Sequence, residues 1–86
     1  MSVEYYRKKI IDLRSDLQKE KEAKKKDNER FAERIKSASS TSDKASLRKR
    51  KIDAAASHDR RIEQLKYSIE SAKESLARER ASAKRK

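Results

Sequence analysis

Apolar residues recur every three or four positions in two long runs, one beginning at Val3 and the other at Leu47. This spacing places the apolar side chains of each run along one face of an α-helix. The predicted seam between the two helices consists of Tyr6, Ile10, Leu13, Leu17, Phe31, Ile35, Leu47, Ile52, Ile62, Leu65, Ile69 and Leu76. The pattern therefore predicts an all-α fold, a long antiparallel two-helix hairpin of the coiled-coil type.

A stretch rich in serine and threonine, residues 37–43, separates the two runs. Hydroxyl and acidic side chains compete for backbone hydrogen bonds, so a helix break is predicted here without Gly or Pro. We expect Ser2 to cap the first helix, and Thr41 or Ser42 to cap the second. The predicted single unit, residues 1–86, has helix 1 at about 3–38, a turn at about 39–42, helix 2 at about 43–83 and a basic tail at 84–86.

An antiparallel register tests the hairpin, because facing residues must have nearly the same sum of residue numbers. The pairs Leu13 with Ile69 and Ile10 with Ala72 satisfy this condition and centre the turn near residue 41. Phe31 then faces Ile52 in the predicted register. Three polar seam positions, Glu20, Lys24 and Asp27, interrupt the first stripe, and the register places Lys24 opposite His58 and Asp27 opposite Ala55. Small facing residues would let these long polar side chains reach water.

Composition supports helices but leaves little material for a core. The chain has 86 residues, of which 33% are hydrophobic and 48% charged, with no Gly, Pro, Cys or Trp. The same composition also admits disorder, against which the regular apolar spacing argues. An isolated hairpin of this kind has marginal stability, so dimerisation into a four-helix bundle is predicted. Tyr5, Ile11 and Tyr67 lie off the seam and are candidate self-association residues, although scattered exposed apolar residues are also ordinary.

The net charge of +11 is concentrated around the turn, where residues 30–51 contain eight Lys or Arg and two acidic residues. Such a cluster attracts phosphate backbones by counterion release, or is simply a solvated helix face. The candidate phosphate-binding residues are Arg30, Arg34, Lys36, Lys44, Arg48, Lys49, Arg50 and Lys51. No wide apolar face accompanies them, so no membrane role is predicted.

Catalytic chemistry is not expected. The single histidine, His58, has no cysteine near it and is interpreted as a partly exposed seam residue rather than a general base or ligand. Acidic residues alternate with Lys and Arg in the pattern of a solvated helix surface, and no glycine loop is available to hold a phosphate. We therefore predict no catalytic residues, no metal, no cofactor and no small-molecule substrate.

These observations predict a cytoplasmic, non-catalytic interaction and oligomerisation module, whose partner is a second copy or another protein domain. The alternative is nucleic-acid binding through the basic turn. Residues 81–86 are interpreted either as a frayed tail or as a linker, and in the second case the hairpin is the N-terminal arm of a larger protein.

Overall fold

The computed structural model describes the backbone of residues 2–85 and the side chains of residues 2–84. Helix α1 spans Val3–Ser37 and helix α2 spans Thr41–Arg85, and the two pack along each other as a helical hairpin. The predicted all-α hairpin is confirmed. Helix α2 continues through most of the predicted basic tail, of which Lys86 lies outside the described residues, as does Met1 at the other end.

Both helices begin at a serine cap. The Ser2 hydroxyl accepts a hydrogen bond from the backbone N–H of Tyr5 at 3.2 Å, as predicted. For α2 the predicted caps were wrong: the hydroxyl of Ser40 accepts the N–H of Asp43 at 3.0 Å. Helix α2 therefore begins at Thr41, two residues before the predicted start, and the turn comprises residues 38–40 rather than 39–42.

Helix α1 ends at an extended residue, Ala38, with φ −68° and ψ 136°. Its backbone N–H donates to the carbonyls of Arg34 and Ile35 at 3.0 and 3.3 Å, which closes the last turn of the helix. No described residue has a positive φ, so three ordinary residues reverse the chain without glycine.

The two ends of the hairpin are packed differently. We call residues 3–19 and 62–85 the open half, and residues 28–57 the turn half. All buried hydrophobic residues of the described chain are in the open half. They are Ile10, Ile62, Ile69, Ala72 and Leu76. In the turn half, Phe31, Ile35 and Leu47 are only partly buried.

One predicted seam residue, Ile52, does not lie in the seam and is 68% exposed. It follows Leu47 by five positions, which at about 100° per residue turns its side chain about 140° away from the stripe. Lys51, four positions after Leu47, takes the place in the seam and is partly buried. Phe31 shares a groove with Ala54 rather than facing Ile52.

The molecule is a rod measuring 70 × 15 × 12 Å. Its length is set by α2, whose 45 residues span about 68 Å at about 1.5 Å per residue. Neither helix contains, within the described residues, an apolar stretch long enough to cross a bilayer.

Candidate functional site

Three surface features distinguish this hairpin from two plain helices: a charged cluster at its middle, a groove lined by tyrosine in the open half, and an arginine-lined groove at the turn. The first of them is built around His58, which the sequence alone predicted to be partly exposed. The structure buries it, with 8% of its surface accessible. That expectation was therefore wrong.

Both ring nitrogens of His58 contact carboxylates of α1. Nδ1 lies 2.9 Å from Glu20 Oε1, and Nε2 lies 2.6 Å from Asp27 Oδ2. Carboxylate oxygens only accept hydrogen bonds, so both contacts are hydrogen bonds only when both ring nitrogens carry a hydrogen, that is, when the ring is an imidazolium. A neutral ring would turn one bare nitrogen lone pair towards a carboxylate.

Other charged groups complete this arrangement, and we call the set the His58 cluster. Arg61 Nη1 donates to Glu20 at 3.2 Å, and Arg30 Nη2 donates to Asp27 at 2.6 Å. Lys24 Nζ donates to Asp59 Oδ1 at 2.6 Å. The cluster consists of Glu20, Lys24, Asp27, Arg30, His58, Asp59 and Arg61. Lys24 thus pairs with Asp59, whereas Asp27 pairs with His58 rather than facing Ala55.

The cluster shifts the proton affinity of its members. Hydrogen bonds first to Asp27 and then to Glu20 raise the pKa of His58 above its ordinary value of 6.5, although burial opposes this. The hydrogen bond to His58 is also the main reason why the pKa of Glu20 and that of Asp27 are lowered. The shifts have one cause, since each of these hydrogen bonds favours the charged form of both partners.

The register already contained part of the signal for this cluster, because it placed Lys24 opposite His58, with the polar seam residues Glu20 and Asp27 about one helical turn to either side of Lys24. What the register could not predict was the reach of the side chains. Glu20 and Asp27 lie two turns apart on α1 and approach His58 from opposite sides along the rod. The described residues include no group of three His, Asp or Glu side chains that could hold a metal ion.

The second feature, which we call the tyrosine groove, lies in the open half. It is lined by Tyr6, Lys9 and Leu13 of α1 and by Tyr67, Ser68, Ser71 and Ser75 of α2. The Tyr5 ring packs edge-to-face on Tyr6, with ring centroids 5.0 Å apart, and Lys9 Nζ lies 5.8 Å from the Tyr5 centroid. All three tyrosines of the chain are therefore at or beside this groove.

The predicted self-association residues are all exposed: 46% for Tyr5, 64% for Ile11 and 77% for Tyr67. Of these three residues, Tyr67 lines the tyrosine groove, whereas Tyr5 contacts it only through Tyr6 and Ile11 is not in its lining. Tyr6 and the three serines of the groove, Ser68, Ser71 and Ser75, were not predicted to belong to this surface. Tyr6 was assigned to the seam, where it is partly buried, and it serves both surfaces.

The third feature is the basic turn. Arg34 and Arg50 line one groove there together with Asp43, Ser46 and Leu47, and the Arg34 guanidinium lies 5.8 Å from the Phe31 ring centroid. Among the eight candidate phosphate-binding residues, Arg30 alone pairs with a carboxylate in the described part of the chain. Six of the eight are exposed, and Lys44 and Lys51 are partly buried.

No protein-family model, curated protein or solved structure matches this chain.

Proposed function

We propose that the hairpin is a non-catalytic interaction module that self-associates through the tyrosine groove. The observation that carries this proposal is the grouping of tyrosines in the open half: Tyr6 and Tyr67 line one groove, Tyr5 packs on Tyr6, and Tyr67 is 77% exposed. Tyrosine is enriched at protein interfaces because its ring buries apolar area while its hydroxyl keeps a polar partner. A cytoplasmic location and coiled-coil packing in the assembly are part of the same proposal.

The surface area of the single chain supports an assembly. A folded monomer of 10.1 kDa exposes about 5,300 Å² of accessible surface, whereas this rod exposes 6762 Å². A stable interface buries about 800 Å² on each partner. The excess of about 1,500 Å² is thus large enough for one such interface, and burial of part of it would strengthen a thin core.

The lining of the groove favours a helix as its occupant. Ser68, Ser71 and Ser75 lie along one side of α2 and carry small side chains, which permit a second helix to approach closely. A second copy offers the same groove with its own tyrosines, and an isologous contact of two hairpins forms a four-helix bundle. We therefore take a second copy as the occupant.

Sedimentation equilibrium at micromolar concentrations tests the proposal. The wild-type chain is expected to sediment as a dimer, and Tyr67→Ser is expected to raise the dissociation constant at least tenfold, as loss of a central interface tyrosine does. Ile52→Ser is the matched control, because Ile52 is similarly exposed but lies in the turn half. Ile11→Asp shows whether the surface extends beyond the groove.

Two results would contradict the proposal. One is a folded wild-type monomer at every concentration, which would favour a different protein domain as the partner. The other is a dimer weakened equally by Tyr67→Ser and Ile52→Ser, since that would show no preference for the groove.

A second candidate function is nucleic-acid binding by the turn. It is favoured by the seven basic residues there that pair with no carboxylate in the described chain, and by the placement of Arg34 and Arg50 in one groove. Unpaired cations release counterions from a phosphate backbone without first breaking an ion pair. The contact would not read bases, because Phe31 is the turn half's one aromatic residue and is partly buried.

Gel-shift and salt-titration experiments with a random-sequence duplex and a single strand of the same length test this candidate. Arg34→Glu with Arg50→Glu is expected to weaken binding and to reduce the log–log salt slope by about 2. Reversal of all four charges at residues 48–51 is expected to abolish binding. Lys8→Glu with Arg14→Glu makes the same change of charge in the open half and is the control. Absence of binding at low salt would dismiss this candidate.

A further inference from the structure

We propose that His58 is a proton-operated clasp that joins the two helices at the middle of the rod, and that loss of its proton releases the turn half while the open half stays packed. The proposal goes beyond self-association and does not depend on it. Its basis is the position of a buried histidine ring, with one carboxylate at each ring nitrogen, at the boundary of a packed and a thinly packed region.

The clasp spans that boundary. Glu20 lies on the open side of His58 and Asp27 lies on the turn side, so the ring holds α1 at two points two helical turns apart. No residue of the turn half is a buried hydrophobic in the described chain. Contacts at the middle of the rod therefore contribute a large share of what keeps α1 and α2 together towards the turn.

The charged groups around His58 come from both helices. On α1 they are Glu20, Lys24, Asp27 and Arg30; on α2 they are Asp59 and Arg61. Arg30 and Arg61 already bind the two carboxylates, so these oxygens stay ionised when the histidine loses its proton. One nitrogen of the neutral ring then carries no hydrogen. The lone pair of this nitrogen faces a carboxylate oxygen, so that contact becomes repulsive.

The sign of the pH effect follows from the direction of each shift. The pKa of folded His58 is raised above 6.5, so its contribution is complete below pH 6.5 and is lost as the pH rises through the raised value. The pKa values of Glu20 and Asp27 are lowered from 4.5 and 3.8, so their contribution is present above these values and is lost in stronger acid. The clasp is therefore strongest from about pH 5 to 6.5.

The test uses the whole chain and two measurements. His58 is the single histidine, so its ring proton signal can be followed by NMR without ambiguity, and it is expected to titrate above 6.5. Amide hydrogen exchange at pH 5.5 and 9, corrected for intrinsic rates, reports local opening. The opening constant of residues 44–57 is expected to rise about tenfold for each unit by which the pKa of His58 is raised, whereas that of residues 65–76 stays unchanged.

Two variants separate the clasp from general electrostatics. His58→Gln replaces the ring by a neutral side chain of similar size and is expected to make the opening of the turn half independent of pH between 5.5 and 9. Glu63→Gln breaks an exposed pair with Lys66 outside the His58 cluster and is expected to leave the wild-type pH response intact. Titration of His58 at or below 6.5, or an equal rise of opening in both halves, would overturn the proposal.

Discussion

The open half of the hairpin contains every buried hydrophobic residue of the described chain, whereas the turn half contains the longest run of basic residues, 48–51. Both halves have the same two helices in one continuous register, so helical periodicity does not explain the difference. Side-chain size and charge do. Branched residues at Ile62 and Ile69 fill the space between the helices, while Ala54 and Lys51 leave it thinly filled.

The best packing and the longest run of basic residues thus lie at opposite ends of one rod. Like charges held close together repel each other and weaken the element that carries them. The turn half therefore depends on short-range support from Ser40 and the His58 cluster, whereas the open half is held by packing. A partner that neutralises the turn would stabilise the half that needs it most.

The difference in packing between the two halves can be tested by removing one apolar side chain from each half. Ile69→Ala, at a residue 6% exposed, is expected to cost about 2 to 4 kcal/mol, because it leaves a cavity in the packed half. Leu47→Ala in the turn half is expected to cost about 1 kcal/mol, since Leu47 is only partly buried. Urea unfolding followed by circular dichroism measures both. Equal losses would show that the halves are packed alike.

A second substitution tests which residue occupies the seam near the turn. Lys51→Leu is expected to stabilise the turn half by about 1 kcal/mol, because an apolar side chain replaces a charged one at a partly buried seam position. Hydrogen exchange of residues 44–57 measures the gain. Ile52→Ser is the control and is expected to change stability by less than about 0.5 kcal/mol, as exposed positions do. A larger loss for Ile52→Ser would place Ile52, not Lys51, against α1.

The smallest expected difference concerns the two helix caps. Ser40→Ala is expected to cost about 0.5 to 1 kcal/mol, because the N–H of Asp43 loses its hydroxyl partner at the turn. Ser2→Ala removes the equivalent bond to Tyr5, but at a chain end, where fraying already occurs. Thermal unfolding should therefore show a smaller effect for Ser2→Ala. The reverse order would mean that the turn does not limit stability.

Much of the fold could be predicted from residue order. The spacing of apolar residues from Val3 to Leu17 and from Ile62 to Leu76 predicted two helices, and the serine-rich stretch predicted where they separate. The error at Ile52 has a definite physical reason. Ile52 is as hydrophobic as the seam residues, but it follows Leu47 by five positions, and this step turns its side chain away from the apolar face of the helix.

The candidate sites were less predictable. Exposure of Tyr5, Ile11 and Tyr67 follows from the angle of each residue around its helix. The placement of Tyr6 and Tyr67 in one groove, with Tyr5 packed on Tyr6, depends on how the side chains of the two helices lie against each other. The clustering of basic residues near the turn follows from the order of residues, but the shared groove of Arg34 and Arg50 does not.

The amino-acid sequence by itself determined the two helices, the antiparallel register and the concentration of charge at the turn, because these depend on local periodicity and on short stretches of chain. Only the tertiary structure decided that His58 is buried and bridges Glu20 and Asp27. His58 there comes within hydrogen-bond distance of two residues that are far away in the sequence, Glu20 by 38 positions and Asp27 by 31 positions. The length and rotamers of long polar side chains decide such contacts, and helical periodicity carries no information about them.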